Sequence, residues 1–137
     1  MKASDRGRVL VLGLVLAAFS FAPGPEVKAK KPSALAEARY KAAKAQFEEV
    51  WTYYRQSRTD SFLTYYWSRM VLEAQQDLCT NKDERIAALV AHQERMQQLQ
   101  TLVHKVRRLG FSYSTDVKAT DYYKVEVERL LEKANAE

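Results

Sequence analysis

Between Ser33 and Glu137 the chain has no proline and a single glycine, Gly110. Strands joined by tight turns use both residues more often than that, so a sandwich or barrel is excluded for this stretch. There is one cysteine, Cys79, and therefore no internal disulfide; near a helix end it reads as a half-buried apolar residue. Charge of one sign is scarcely in excess. Residues 1–29 hold four basic and two acidic side chains of the chain's 22 and 17, which leaves 18 and 15, interspersed, in the remainder. Nucleic-acid binders carry a larger and more clustered basic excess, so no nucleic-acid partner is expected.

Chemistry-bearing motifs are equally scarce. There is no Gly-x-Ser-x-Gly elbow and no glycine-rich phosphate loop. Glu48 and Glu49 are adjacent and diverge on a helix, while Asp116 and Asp121 read as a cap and a surface residue. His92 and Met96 share a helix face, but no carboxylate completes a ligand set, and His104 would stand about 18 Å from His92 along the helix. No catalytic, cofactor-binding or metal-binding residue is nominated, no cofactor is implied, and the chain reads as non-enzymatic.

What is present begins with a leader. Lys2, Arg6 and Arg8 precede an uncharged apolar run from Val9 to Ala22, which Pro23-Gly24-Pro25 ends. This is the three-part layout of an export signal. The run is shorter than the roughly 20 residues that cross a bilayer in helical form. Val27 and Ala29 place a cleavage point before Lys30; Ala18 and Ser20 offer another before Phe21. The expectation is a signal peptide over 1–29, a linker over 30–33, and a periplasmic or secreted helical domain over 34–137. An uncleaved leader anchoring the protein in the inner membrane is the alternative, and the leader is the only membrane contact expected.

The domain is rich in alanine, leucine, glutamine, glutamate, lysine and arginine, all helix formers. Four helices are predicted, over about 34–57, 61–79, 82–109 and 115–134, forming an all-α, elongated coiled-coil-like bundle or a pair of antiparallel hairpins. Ser33 is a cap for the first helix. Ala36, Tyr40, Ala43, Phe47, Val50 and Tyr54 give that helix a seam with alternating steps of four and three. Leu63, Tyr66, Met70, Ala74 and Leu78 form the predicted inner face of the second. Thr80 with Asp83, or Asn81 with Glu84, caps the third, whose stripe is Ile86, Leu89, Met96, Leu99, Val103 and Val106. Lys105, Arg107 and Arg108 complement the dipole at its end. Val117, Tyr123, Val127, Leu131 and Ala134 face inward on the fourth. A shift of 53 positions aligns Val50 with Val103 and Glu73 with Glu126, a hint of an internal repeat.

Leu109-Gly110-Phe111 followed by Asp116-Val117 resembles the hairpin tip of the outer-membrane efflux (TolC-like) family, in which long periplasmic helices turn through an aliphatic residue, glycine and an apolar residue. Gly110 can take a positive φ and so end one helix, and Ser114 or Asp116 can cap the next. The wider pattern also resembles uncharacterised exported bacterial helical-hairpin proteins. Trp67-Ser68-Arg69, Leu72-Glu73-Ala74, Glu84-Arg85, Ala87-Ala88-Leu89, Ala91-His92, Glu94-Arg95-Met96 and Asp121-Tyr122-Tyr123 carry that resemblance over most of 36–134. The chain has no barrel strands, so the efflux resemblance implies a tip and not a channel. In the channels the tip meets a periplasmic adaptor, and this makes Leu109, Gly110, Phe111 and Asp116 candidate partner contacts.

Aromatic residues supply the remaining candidates. Trp51, Tyr53 and Tyr54 close the first helix, and Tyr65, Tyr66 and Trp67 open the second. Phe111, Tyr113, Tyr122 and Tyr123 surround the third link. Neighbouring helical positions diverge by about 100°, so some rings must face outward, where tyrosine and tryptophan favour interfaces. Trp51, Tyr54, Tyr66 and Trp67 join the candidate contacts. The functional expectation is an exported interaction module that docks on an envelope or efflux component or on itself. A small periplasmic stress chaperone is the alternative, although the Leu-Thr-x-x-Gln signatures of known helical periplasmic chaperones are absent.

Overall fold

A computed structural model describes residues 31–110 and 114–137. The proposed leader and Phe111 lie outside the described residues. The described residues form four helices and no strand: α1 (Ala34–Arg55), α2 (Ser61–Gln76), α3 (Lys82–Arg108) and α4 (Ser114–Ala136). None is long and apolar enough to cross a membrane. The all-α expectation holds, with helix ends displaced by up to three residues from those predicted.

Local chemistry sets these ends. The Ser33 hydroxyl accepts from the Ala36 amide at 3.1 Å, and the Asp60 carboxylate accepts from the Leu63 amide at 2.8 Å. Each takes up an amide that the first helical turn leaves without a partner. Of the two predicted caps for α3, Asn81 is used: its Oδ1 accepts from the Glu84 amide at 2.9 Å, and Glu84 in turn accepts from the Thr80 amide at 2.6 Å. Hence α2 and α3 are separate helices, divided at Asp77–Asn81, rather than one bent rod. Ser57 ends α1 with φ +57° and Gly110 ends α3 with φ +84°, the left-handed backbone that terminates helices. Asp116 is not the cap of α4; the helix starts at Ser114, which puts Asp116 inside its first turn.

Helices α1 and α2 form one antiparallel hairpin, and α3 and α4 form another. The hairpins join through α2, which packs against all three other helices. Three apolar clusters result. Ala43, Val71 and Ala74 lie between α1 and α2; Leu72, Ala88 and Leu89 meet Leu131 and Ala134 at the far end. Tyr65, Met96, Leu99, Val103 and Tyr123 fill the end that carries the α1–α2 and α3–α4 links. Of the residues aligned by the 53-position shift, two pairs can be compared. Val50 and Val103 are both buried, whereas Glu73 meets Arg69 within α2 and Glu126 meets it from α4, so the two glutamates are not equivalent.

The predicted inner face of α2 is corrected. Leu63 and Tyr66 are exposed, whereas Ser61, Thr64, Tyr65, Ser68, Val71, Leu72 and Ala74 are buried. A helix lodged among three others buries two faces, and where axes approach closely only small side chains fit. Serine and threonine therefore take positions that an apolar pattern assigns to the surface.

Two truncations test this register. Leu99→Ala, at a fully buried site, is expected to cost about 3 kcal/mol. Leu63→Ala, on the open face of α2, is expected to cost under about 1 kcal/mol. Urea unfolding followed by circular dichroism reads both, and the reverse order would refute the packing.

Candidate functional site

The two links the sequence places apart are brought to one end of the bundle. Ser61, opening α2, lies 3.2 Å through its hydroxyl from the carboxylate of Asp116, in the first turn of α4. Tyr54, from the end of α1, packs against the same cluster. Burial, and then the nearby carboxylates of Asp116 and Asp60, pushes its phenol up to about 12, so it stays protonated. Among the described residues, the two aromatic groups read from the sequence as separate meet through Tyr65 and Tyr123.

Its centre is a stacked pair. The Tyr65 and Tyr123 rings lie parallel within 5°, with centroids 3.9 Å apart. The Tyr65 hydroxyl donates to Glu126 at 2.5 Å, and Arg69 reaches the same carboxylate at 3.5 Å. Burial and the bond to Glu126 hold the Tyr65 phenol at about 12. Outside this pair stand rings that open to solvent. Phe62 is 6.4 Å from Tyr65 and 59% exposed; Tyr122 is 6.2 Å from Tyr123 and 62% exposed. Tyr66, 42% exposed, lies 6.5 Å from Phe62 and meets Trp67 edge-on at 5.5 Å. Exposed large rings on a small bundle are the feature that marks binding surfaces.

The remaining nominated residues divide. Trp51 is half-buried and stacked between Phe47 and Tyr54, with one side lining a groove toward α3. Trp67 is half-buried and contributes packing more than surface. Leu109 is exposed, and a side chain built on Gly110 would meet nothing within 4 Å, so its positive φ, and not crowding, is what requires glycine there. Asp116 is half-buried and engaged with Ser61, which makes it a bracing residue between hairpins. Phe62 was missed, because the α2 register read from the sequence turned the helix to the wrong side.

A second polar constellation lies deeper. Ser68 and His92 are fully buried, with Oγ and Nδ1 2.8 Å apart. Arg95 donates from Nε to the same hydroxyl at 2.7 Å and from Nη2 to the Ser68 carbonyl at 3.3 Å. Its guanidinium also sits 5.6 Å over the Phe47 ring. Since Arg95 only donates, the Ser68 hydroxyl proton is available to Nδ1, which leaves the ring N–H on Nε2. That Nε2 has no partner. Burial, then the charges of Arg95 and Arg69, pulls the imidazole down to about 3. A serine beside a histidine is the start of a nucleophilic pair, but here neither atom meets solvent and the histidine is sealed as a neutral ring. The sequence reading saw His92 only as half of a metal pair; among the described residues no group of three metal-capable side chains exists.

Comparison with protein-family models, with curated proteins and with solved structures returned no match.

The buried imidazole predicts a pH dependence. His92 titrates near 6.5 when unfolded and near 3 when folded. The unfolded chain therefore takes up the extra proton, and the stability from this group, complete above the unfolded value, falls as pH drops through that window. Relative to His92→Gln, the native protein is expected to lose about 2–3 kcal/mol between about pH 7 and about pH 4.5. Denaturant titrations of both at each pH check it; parallel profiles would show that His92 is not a neutral buried ring.

Proposed function

We propose that the protein is an exported, non-enzymatic helical interaction module that docks through the aromatic end of its bundle on another envelope protein or on a second copy of itself. The observation that carries the reading is the gathering of both helix links, and of the exposed rings Phe62, Tyr66 and Tyr122, at a single end. Rigid aromatic side chains lose little conformational freedom on binding and are the commonest anchors of interfaces. The hairpin-tip resemblance of residues 109–117 supports an envelope component as the partner, and the leader-like start supports export.

The rim of this end is basic. Arg55, Arg58, Lys105, Arg107 and Arg108 lie in or beside the last turns of α1 and α3, against Asp60 and Asp116 at the starts of α2 and α4. Two helix C-termini and two N-termini meet here, so their dipoles largely cancel and the net charge of this end is positive. Charge of this kind speeds encounter and selects acidic partners more than it tightens the complex.

A photo-crosslinker at Tyr122, with a control at Lys44 on the opposite part of the fold, tests the proposal in intact envelopes of the native host. One dominant crosslinked species at Tyr122, absent at Lys44, is expected. A broad set of unrelated exported proteins, equal at both positions, would replace docking with the chaperone alternative.

A further inference from the structure

The groove beneath Trp51 runs between α1 and α3, which touch through side chains such as Phe47 and Arg95 but whose backbones do not come close. It is open and about 590 Å³ in volume. Its floor is the Trp51 indole and the Leu102 side chain; Gln98 and its neighbours form the α3 wall. From Glu94 to Lys105 the α3 wall spans about 16 Å, or three helical turns. Because the α1 backbone runs beside α2 and not beside α3, an open furrow remains between α1 and α3, with indole and leucine surface facing it.

Its charges are arranged along this length. Arg55 from α1 and Lys105 from α3 stand at the link end, and neither has an acidic partner among the described residues. Glu94, the acid of the groove, stands at the other end. Two unpaired cations on opposite walls, over an apolar floor, complement a carboxylate carried beside a large apolar side chain. The general basic excess of this end acts in the same direction.

We infer that this groove binds one amphipathic helix of an acidic partner, with apolar side chains at i, i+3 or i+4 and i+7 on Trp51 and Leu102, and with carboxylates between Arg55 and Lys105. The inference rests on the docking reading above and names the class of partner. Helix-in-groove recognition uses this spacing because it places successive anchors on one face. The exposed rings of α2 and α4 lie on other surfaces, so groove and rings are separable in experiment.

The probes are two fluorescent peptides of about 18 residues, long enough to fold into a helix on binding. They share one leucine and isoleucine stripe, and carry flanking glutamates in one and lysines in the other. Fluorescence anisotropy with the full mature chain at low salt is expected to show the glutamate peptide binding at least about 30-fold tighter than the lysine peptide. The double substitution Arg55→Glu, Lys105→Glu is expected to invert the preference, and Arg55→Gln, Lys105→Gln to abolish it, with helicity unchanged in both. Equal affinity for the two peptides, or an unaltered preference in both variants, would overturn the inference. So would a native dimer that the double substitutions convert to monomer, or binding to phosphatidylglycerol vesicles that they abolish while neither peptide binds. If the peptides show no preference but the dominant Tyr122 crosslink forms, the groove is discarded and the docking end stands. If the peptide preference holds but no dominant Tyr122 crosslink forms, the groove stands and docking through the rings is discarded.

Discussion

Ser68 Oγ receives the Nε proton of Arg95 and faces Nδ1 of His92, in the seam where the first hairpin meets the second. The geometry matters because all of it is buried or nearly so, and a buried polar group without a partner costs about 1–3 kcal/mol. Sliding α2 by one turn along α3 would strip three such groups of their bonds at once. Apolar contacts are indifferent to small displacements; this set is not. A helix of 16 residues that must pack against three others gains its register from it. The orphaned Nε2 of His92 is a remaining cost of the arrangement, and desolvation keeps the ring neutral instead of ionised.

With that register held, the pairings on either side follow. Tyr65 lies three residues before Ser68, nearly a full turn away, and so faces the same seam, where it stacks on Tyr123 of α4. Ser61, a further turn along, reaches Asp116. On the outer flank Arg69 gathers Glu73 and Glu126, and Arg39 of α1 reaches Glu73 and Asp77. The pairs among Arg39, Arg69, Glu73 and Asp77 are half exposed and individually worth little, while Glu126 is mostly buried beneath the Tyr65 hydroxyl. They line the outside of a seam whose position the buried serine, histidine and arginine have determined.

Much of the chain's local order was legible beforehand because its causes are local. Ser33, Asn81 with Glu84, and Gly110 each work within four residues of themselves, and a sequence shows that directly. The stripes of α3 and α4 were legible too, since each presents one main face: Leu99, Val103 and Val127 are fully buried as expected. The face of α2 was not. Its burial is decided by neighbours distant in sequence, and its closest contacts use serine and threonine, which carry no apolar signal. That error also hid Phe62. Nor did the sequence show that the two aromatic groups merge, because that depends on the antiparallel order of four helices and not on any one of them.

The merging gives consecutive aromatic pairs different duties. Tyr65 and Tyr66 are neighbours on α2, as Tyr122 and Tyr123 are on α4, and a step of about 100° sends the members of each pair to different surroundings. Tyr65 and Tyr123 turn inward and bind the hairpins together, whereas Tyr66 and Tyr122 stay in solvent. Phe62 lies against both Tyr65 and Tyr66, linking the inner stack to the outer rings. A partner that orders the outer rings would therefore press on the contact that joins the hairpins. On the proposed docking reading, binding at this end would couple to the stability of the bundle through one stack, and by linkage a partner that favours the stacked form would stabilise the fold.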